Sequence, residues 1–391
     1  MLNPYVVTIS LPSGFTSYVT NVGVKDDSKD FTVVLAAPGA TSAGVFTQSR
    51  FAGPSVEVSR RHNTGQARAV VVVSKNANVA NGPEGLAHAE EITSRVANKL
   101  GIKADEIFIA STGVIGRLYP IERIRDGIDA LPFPLPSTDA EDVAHGIMTT
   151  DTVHKVSECT VAGSSARVVG VAKGVGMIEP NMATLIAMVF TDAAIDADSL
   201  DAIFRSVINR TMNCVSIDTD TSTSDTAVIV ASGTAGHVDG ASFESALESV
   251  LLDLTKKIAR DGEGAETLIE VRVDRARDTV QAKTVAKAIV NSPLVKTAVH
   301  GADPNWGRVA MAIGKCSDHT DIDQDAVVIR FGQQEVYPVR VDDTGLAQLS
   351  EYMKGDEVLI HVSLHTGSAS ATVWGCDLTD GYVRINADYT T

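Results

Sequence analysis

The segment Lys173 to Phe190, KGVGMIEPNMATLIAMVF, constrains the fold of this chain more than any other. Gly174 and Gly176 admit backbone angles closed to other residues and Pro180 stiffens the approach, so the loop can hold one peptide bond in a fixed, exposed geometry before an apolar, strand-like run. Thr184 stands at the hinge. Taken alone it reads as an ordinary strand threonine. If the Ala183–Thr184 bond breaks, however, Thr184 gains a free α-amine beside its own hydroxyl, the base-plus-nucleophile pair of enzymes with an N-terminal threonine.

The rest of the pattern predicts an α/β protein. Ala69 to Ser74 (AVVVVS) reads as a strand, and Leu86, Ala89, Ile92, Val96 and Leu100 recur at helical spacing before a glycine C-cap at Gly101. Glu106 to Ala110 reads as a second strand ending in the loop Ser111 to Gly116, STGVIG; Ile121, Ile124 and Ile128 mark a helix. The segment Leu131 to Pro136 (LPFPLP) is a connection, and Thr138-Asp139-Ala140-Glu141 is a capping-box pattern opening a helix towards Met148. Strands at Val153 to Val161 and Arg167 to Lys173 lead into the hinge, and a further strand, a helix near Ala197 to Asn209 and the polar run DTDTSTSDT follow. Phe243, Leu247, Val250, Leu254 and Ile258 form an amphipathic helix ending at DGEGA, ahead of a strand at Leu268 to Val273. The character shifts near Thr279 to helix and short strands, which predicts a catalytic domain over 1–277 and a smaller C-terminal α/β domain over 278–391.

Composition excludes several classes. With 33 Lys plus Arg against 49 Asp plus Glu, a net −16, and no basic run interleaved with aromatics, nucleic-acid binding is not expected. Hydrophobic residues reach 44% but aromatics only 5%, a core of Ala, Val, Ile and Leu suited to packed layers. No GxxxxGK[ST] or strand–GxGxxG–helix pattern marks a nucleotide site, and the nine histidines lack zinc-binding spacing, His300 in VHGADPNWGR included. Neither a metal nor a cofactor is expected. Asp151, Asp218, Asp220 and Asp225 lack calcium-loop spacing and read as turn carboxylates. Cys159, Cys214, Cys316 and Cys376 read as structural thiols. The first basic residue is Lys25 and no apolar run approaches ~18 residues, so the expectation is a cytoplasmic enzyme with no membrane association.

Chemistry therefore centres on Thr184. Thr112 and Gly113, at a strand end, can supply a hydroxyl and a backbone N–H to a developing oxyanion, or can simply form a tight turn. Lys173 can bind a substrate carboxylate, and Glu263 in DGEGA can receive an amine; a solvated strand end and a helix terminus are the plainer readings.

These features together resemble the ornithine acetyltransferases, or glutamate N-acetyltransferases, of the ArgJ type. The similar segments span the chain: NANVANG from Asn76, STGVIG, MTTDT from Met148, KGVGMIEPNMAT, DTDTSTSDT, DGEGA, SPLVKTAVHGADPNWGR from Ser292, and the C-terminal INADYTT. IGKCSDHTDIDQ and GCDLTDGYVRINADYTT are most similar to variants associated with clavam pathways in actinomycetes, and Lys75 stands where many members carry glycine. The resemblance implies a layered αββα sandwich like that of autoprocessed N-terminal-nucleophile enzymes. It implies cleavage between Ala183 and Thr184, with Thr184 as nucleophile and Thr112 and Gly113 as the oxyanion pair. Thr150, Lys173, Thr184, Glu263, Asn386 and Thr391 fall on substrate-contacting positions, with Thr152 close by in the same motif. The implied substrates are N-acetylornithine and glutamate, without an obligatory coenzyme, and the implied assembly is α2β2 or larger. Water as acceptor, in an amidohydrolase or aminopeptidase, is the alternative on the same nucleophile. An uncleaved binding protein with a purely structural loop is the alternative from another class.

Overall fold

The computed structural model describes residues 8–179 and 185–388, which fall into two compact units. The first comprises residues 8–174, 185–213 and 221–254. In chain order its strands are β1 (Phe15–Thr20), β2 (Phe31–Ala36), β3 (Thr41–Phe46), β4 (Ala69–Val73), β5 (Ile107–Ser111), β6 (Lys155–Thr160), β7 (Arg167–Lys173), β8 (Ile186–Ala194) and β9 (Thr226–His237). Its helices are α1 (Pro54–His62), α2 (Gly82–Leu100), α3 (Ile121–Asp129), α4 (Ala140–Ile147), α5 (Ala197–Arg210) and α6 (Gly240–Arg260), the last turns of α6 belonging to the second unit.

Two sheets stack face to face, one in the order β1-β2-β4-β5 and the other β3-β9-β8-β7-β6. The period of two in the strands makes this possible. In β4, Val70 and Val72 turn into the core between the sheets, where they join Phe108, Val171, Met188, Phe190 and Val228. Ala69, Val71 and Val73 turn the other way, onto Val58 of α1, Ile92 and Val96 of α2 and Ile124 of α3. All five β4 residues are buried, so the continuous valine run is that of a strand covered on both faces. Over the second sheet, Val250 and Leu254 of α6 lie against Gly170 of β7. The result is the expected α/β/β/α layering. Helix α4 is the exception to it, because Ala140, Val143, Ala144 and Ile147 lie in the core between the sheets.

The start of α4 differs from expectation by one residue: Asp139, not Thr138, is the N-cap, its carboxylate accepting from the Glu141 and Asp142 N–H groups. A charged acceptor with the helix dipole behind it makes the better cap.

The second unit comprises 175–179, 214–220 and 255–388. Its elements are β10 (Leu268–Ala276), α7 (Thr279–Val290), α8 (Pro293–His300), α9 (Trp306–Gly314), β11 (Val328–Phe331), β12 (Gln334–Tyr337), α10 (Asp343–Met353), β13 (Glu357–Ser363), β14 (Ala369–Cys376) and α11 (Asp380–Asp388). The sheet runs β12-β11-β13-β10-β14. The compact units thus divide the chain differently from the expected 1–277 and 278–391. Strand β10 pairs in parallel with β13 and antiparallel with β14, and these partners come almost a hundred residues later. Among the described residues, no helix is long and apolar enough to cross a membrane.

Asp139→Ala should cost about 1 kcal/mol in urea unfolding, whereas Thr138→Ala should leave the midpoint nearly unchanged. Equal effects would place the cap at the wrong residue.

Candidate active site

In the first unit the candidate residues gather at the ends of β5 and β7. Strand β5 is buried throughout and delivers Thr112 and Gly113 at its carboxyl end, where Thr112 N–H donates to the Val73 carbonyl at 3.2 Å. Gly113 has φ +125°, and a Cβ there would lie 2.2 Å from the Lys75 carbonyl carbon. Only glycine fits. Val114 N–H closes the turn on the Lys75 carbonyl at 3.3 Å. Lys75 itself has φ +73°, a left-handed conformation that side chains other than glycine rarely adopt, and its ammonium donates to Asp26 Oδ1 at 2.6 Å and the Ser28 carbonyl at 2.9 Å.

Lys173 ends β7, mostly buried, and its Nζ donates to Thr112 Oγ1 at 3.4 Å. A hydroxyl oxygen that accepts from an ammonium keeps its own proton for another acceptor and is polarised towards giving it. Behind this pair sits Asp151, whose side chain is fully buried. Its Oδ1 accepts from Lys155 Nζ at 2.8 Å and Gly174 N–H at 2.7 Å, its Oδ2 accepts from Thr149 N–H at 3.1 Å, and Lys173 Nζ lies 3.9 Å from Oδ2. Burial pushes the carboxyl up, but the Lys173 and Lys155 ammoniums outweigh it and hold the group below the ordinary aspartate value. Asp151 is therefore a charged buried anchor and not a turn carboxylate. Thr150 and Thr152 flank it, both exposed.

Glu263 and Asn386 come together in the second unit. Glu263 N–H donates to the Val175 carbonyl at 2.8 Å, and Asn386 Nδ2 donates to Glu263 Oε2 at 2.9 Å. A Cβ on Gly176 would lie 2.6 Å from the Glu263 carboxyl carbon, so a larger residue there would displace the carboxylate from its present position. Asp218, from the polar run, accepts from Asp220 N–H at 3.4 Å within its own turn, and also holds the neighbouring loop by accepting from Met177 N–H at 2.6 Å and Ile178 N–H at 2.7 Å. His300 Nδ1 pairs with the buried Asp377 Oδ2 at 3.1 Å, and Glu266 brings a third ligand-type atom within 4.8 Å of both. Ala183, Thr184 and Thr391 lie outside the described residues.

An ammonium-polarised hydroxyl beside a glycine turn suits stabilisation of a negative tetrahedral centre, the need of an acyl transferase. The ArgJ family model matches residues 16–391. The arginine biosynthesis bifunctional protein ArgJ 2 of Nostoc sp. is 58% identical over 383 residues, 98% of each chain. The glutamate N-acetyltransferase Oat2 of Streptomyces clavuligerus is 55% identical over 391 residues, 98% of this chain and 99% of that one. A solved arginine biosynthesis bifunctional protein ArgJ from Bacillus halodurans is 42% identical, with a TM-score of 0.49, over 52% of this chain and 98% of that chain. The chain belongs to the ArgJ family and is an enzyme of the acyltransferase class.

Two outcomes follow from the geometry. Gly113→Ala should lower the catalysed rate by on the order of 100-fold and lower the melting temperature, because the new methyl meets the Lys75 backbone; an unaffected rate would remove the turn from the site. The depressed Asp151 carboxyl gives stability that is complete above the ordinary value of 3.8 and lost as pH falls through its lower folded value. The melting-temperature gap between wild type and Asp151→Asn should therefore hold steady from pH 7 to near 4 and narrow below it. A gap that widens on acidification would contradict the sign.

Proposed function

We propose that this enzyme moves the acetyl group of N-acetylornithine to glutamate through an acetyl-enzyme on Thr184, after self-cleavage at Ala183–Thr184. The observation that carries the reading is the ammonium–hydroxyl pair of Lys173 and Thr112 at the end of β7. Ile186, the first residue of β8, is registered opposite Lys173, and Leu185 is buried with its carbonyl bonded to Thr226 N–H. Thr184 is covalently joined to this fixed point. The relatives' printed names, ArgJ and glutamate N-acetyltransferase, support the same chemistry.

Maturation starts with the Thr184 hydroxyl attacking the Ala183 carbonyl. The peptide bond becomes an ester, which water opens to leave residues 1–183 and a new amine on Thr184. In turnover, the Thr184 hydroxyl attacks the acetyl carbonyl while its own α-amine takes the proton. Thr112 and the Gly113 N–H hold the oxyanion. The proton passes to the departing amine, ornithine leaves, and the glutamate amine attacks the ester to regenerate Thr184. A substrate carboxylate is the role proposed for Lys173 with Thr150 and Thr152; receiving an amine is the role proposed for Glu263 and Asn386, and Thr391 is a further substrate-contacting position that the family resemblance implies. The two chains assemble as α2β2 or larger.

Thr184→Ala should run as a single band on a denaturing gel and transfer nothing; cleavage in that variant sinks the mechanism. Wild-type protein incubated with N-acetylornithine should gain ~42 Da on the fragment beginning at Thr184, and glutamate should discharge it as N-acetylglutamate. Release of acetate alone would make water the acceptor.

A further inference from the structure

Lys75, just past the end of β4, holds a conformation unfavourable for a lysine. Its φ of +73° lies in the left-handed region, where the Cβ crowds the following carbonyl. Its ammonium, by contrast, is fully engaged. The three hydrogens meet three acceptors in the loop between β1 and β2: Asp26 Oδ1 at 2.6 Å, the Ser28 carbonyl at 2.9 Å and the Ser28 hydroxyl. The Lys75 side chain is only 7% exposed, and its ammonium holds the Asp26 carboxyl well below the usual aspartate range, so the pair is ionised at neutral pH. The loop is itself fixed, with the Asp30 carboxylate accepting from the Val22 and Val24 N–H groups at 2.7 Å each and the Asp30 carbonyl accepting from Ser74 N–H at 2.9 Å.

The Thr112–Gly113 turn rests on the backbone of this lysine. The Lys75 carbonyl accepts from Val114 N–H at 3.3 Å, and a Cβ on Gly113 would lie 2.5 Å from the Lys75 Cα. Rotating φ at Lys75 swings that carbonyl, so the turn keeps its Val114 bond only while Lys75 keeps its left-handed angle. We propose that the Lys75 ammonium is an anchor that positions the oxyanion turn: docked in the loop between β1 and β2, it holds Lys75 left-handed, and through Lys75 it holds Thr112 and Gly113. This rests on the reading in which Thr112 and the Gly113 N–H receive the oxyanion. The Lys75 charge is neutralised by Asp26, so Lys75 acts through the turn and not on the substrate.

Two substitutions separate positioning from packing. Lys75→Met keeps a long side chain but leaves a strained backbone without its anchor; kcat should fall about tenfold, rates being referred to the amount of chain beginning at Thr184. Lys75→Gly removes the whole side chain, yet glycine takes the left-handed angle without strain, so most of that loss should be recovered. A lysine that merely fills space gives the opposite order, with glycine the slower variant. Asp26→Asn closes the cycle: it should slow the wild-type background by a similar factor and leave the Lys75→Gly background unchanged. Where Lys75→Met fails to fold by circular dichroism, the two Asp26→Asn comparisons decide alone. A Lys75→Gly variant that is unfolded or as slow as Lys75→Met, or an Asp26→Asn change without effect on wild type, overturns the anchor and leaves acetyl transfer standing. An inactive wild type sinks acetyl transfer itself, and the anchor's role falls with it.

Discussion

Everything at the ends of β5 and β7 depends on the buried charge of Asp151. Its two oxygens collect the Lys155 ammonium, the Gly174 and Thr149 N–H groups and, at longer range, Lys173. Such a cluster costs desolvation that only complete pairing offsets, so its members cannot drift separately. It ties the loop after α4, the first residue of β6 and the last of β7 to one point. From that point Lys173 reaches the Thr112 hydroxyl, so the site is set by electrostatics as well as by backbone turns.

The turn that carries Thr112 has a separate support. Gly113 lies so close to Lys75 that a single methyl would overlap its backbone, and Lys75 is itself in a left-handed conformation. Strain of this sort persists where surroundings enforce it. Here the Asp26 and Ser28 partners of the Lys75 ammonium do so. Two lysines thus act on one turn by different means, Lys75 through its backbone and Lys173 through its charge.

Local pattern made much of this legible. The valine run of β4, the strand Arg167 to Lys173 and the helix closed by Gly101 follow from period, β-branching and a left-handed C-cap, all properties of neighbouring residues. Where partners are remote, local pattern is silent. Leu268 to Val273 looks like a strand from its own residues, but its place in the second sheet is decided by β13 and β14. Asp151 among threonines looks like a turn residue, because nothing adjacent announces that Lys155 and Lys173 converge on it. The one available signal was Lys155 itself, an ammonium heading the strand VSECT with another lysine ending the next strand. The pairing of Glu263 with Asn386 likewise joins positions far apart in the chain, which spacing does not announce.

The sheet order also bears on why a cut after Ala183 would leave the fold standing. In the order β3-β9-β8-β7-β6, the strands β3, β7 and β6 precede that bond and β8 and β9 follow it. A fragment beginning at Thr184 would supply two central strands, flanked by strands of the other fragment on both sides. One flank is the ladder from Val168↔Thr191 to Lys173↔Ile186, the other that from Thr41↔Ala231 to Phe46↔Thr226. Separating the fragments would break both ladders and expose Phe190, Met188 and Val228, all without exposed surface. Cleavage of one peptide bond removes only a tether whose closure entropy grows slowly with length, and that is small beside the burial it would have to undo. A chain built this way could lose the bond after Ala183 and still keep Lys173 registered opposite Ile186, because the hydrogen-bonded ladder, and not that peptide bond, holds β7 against β8.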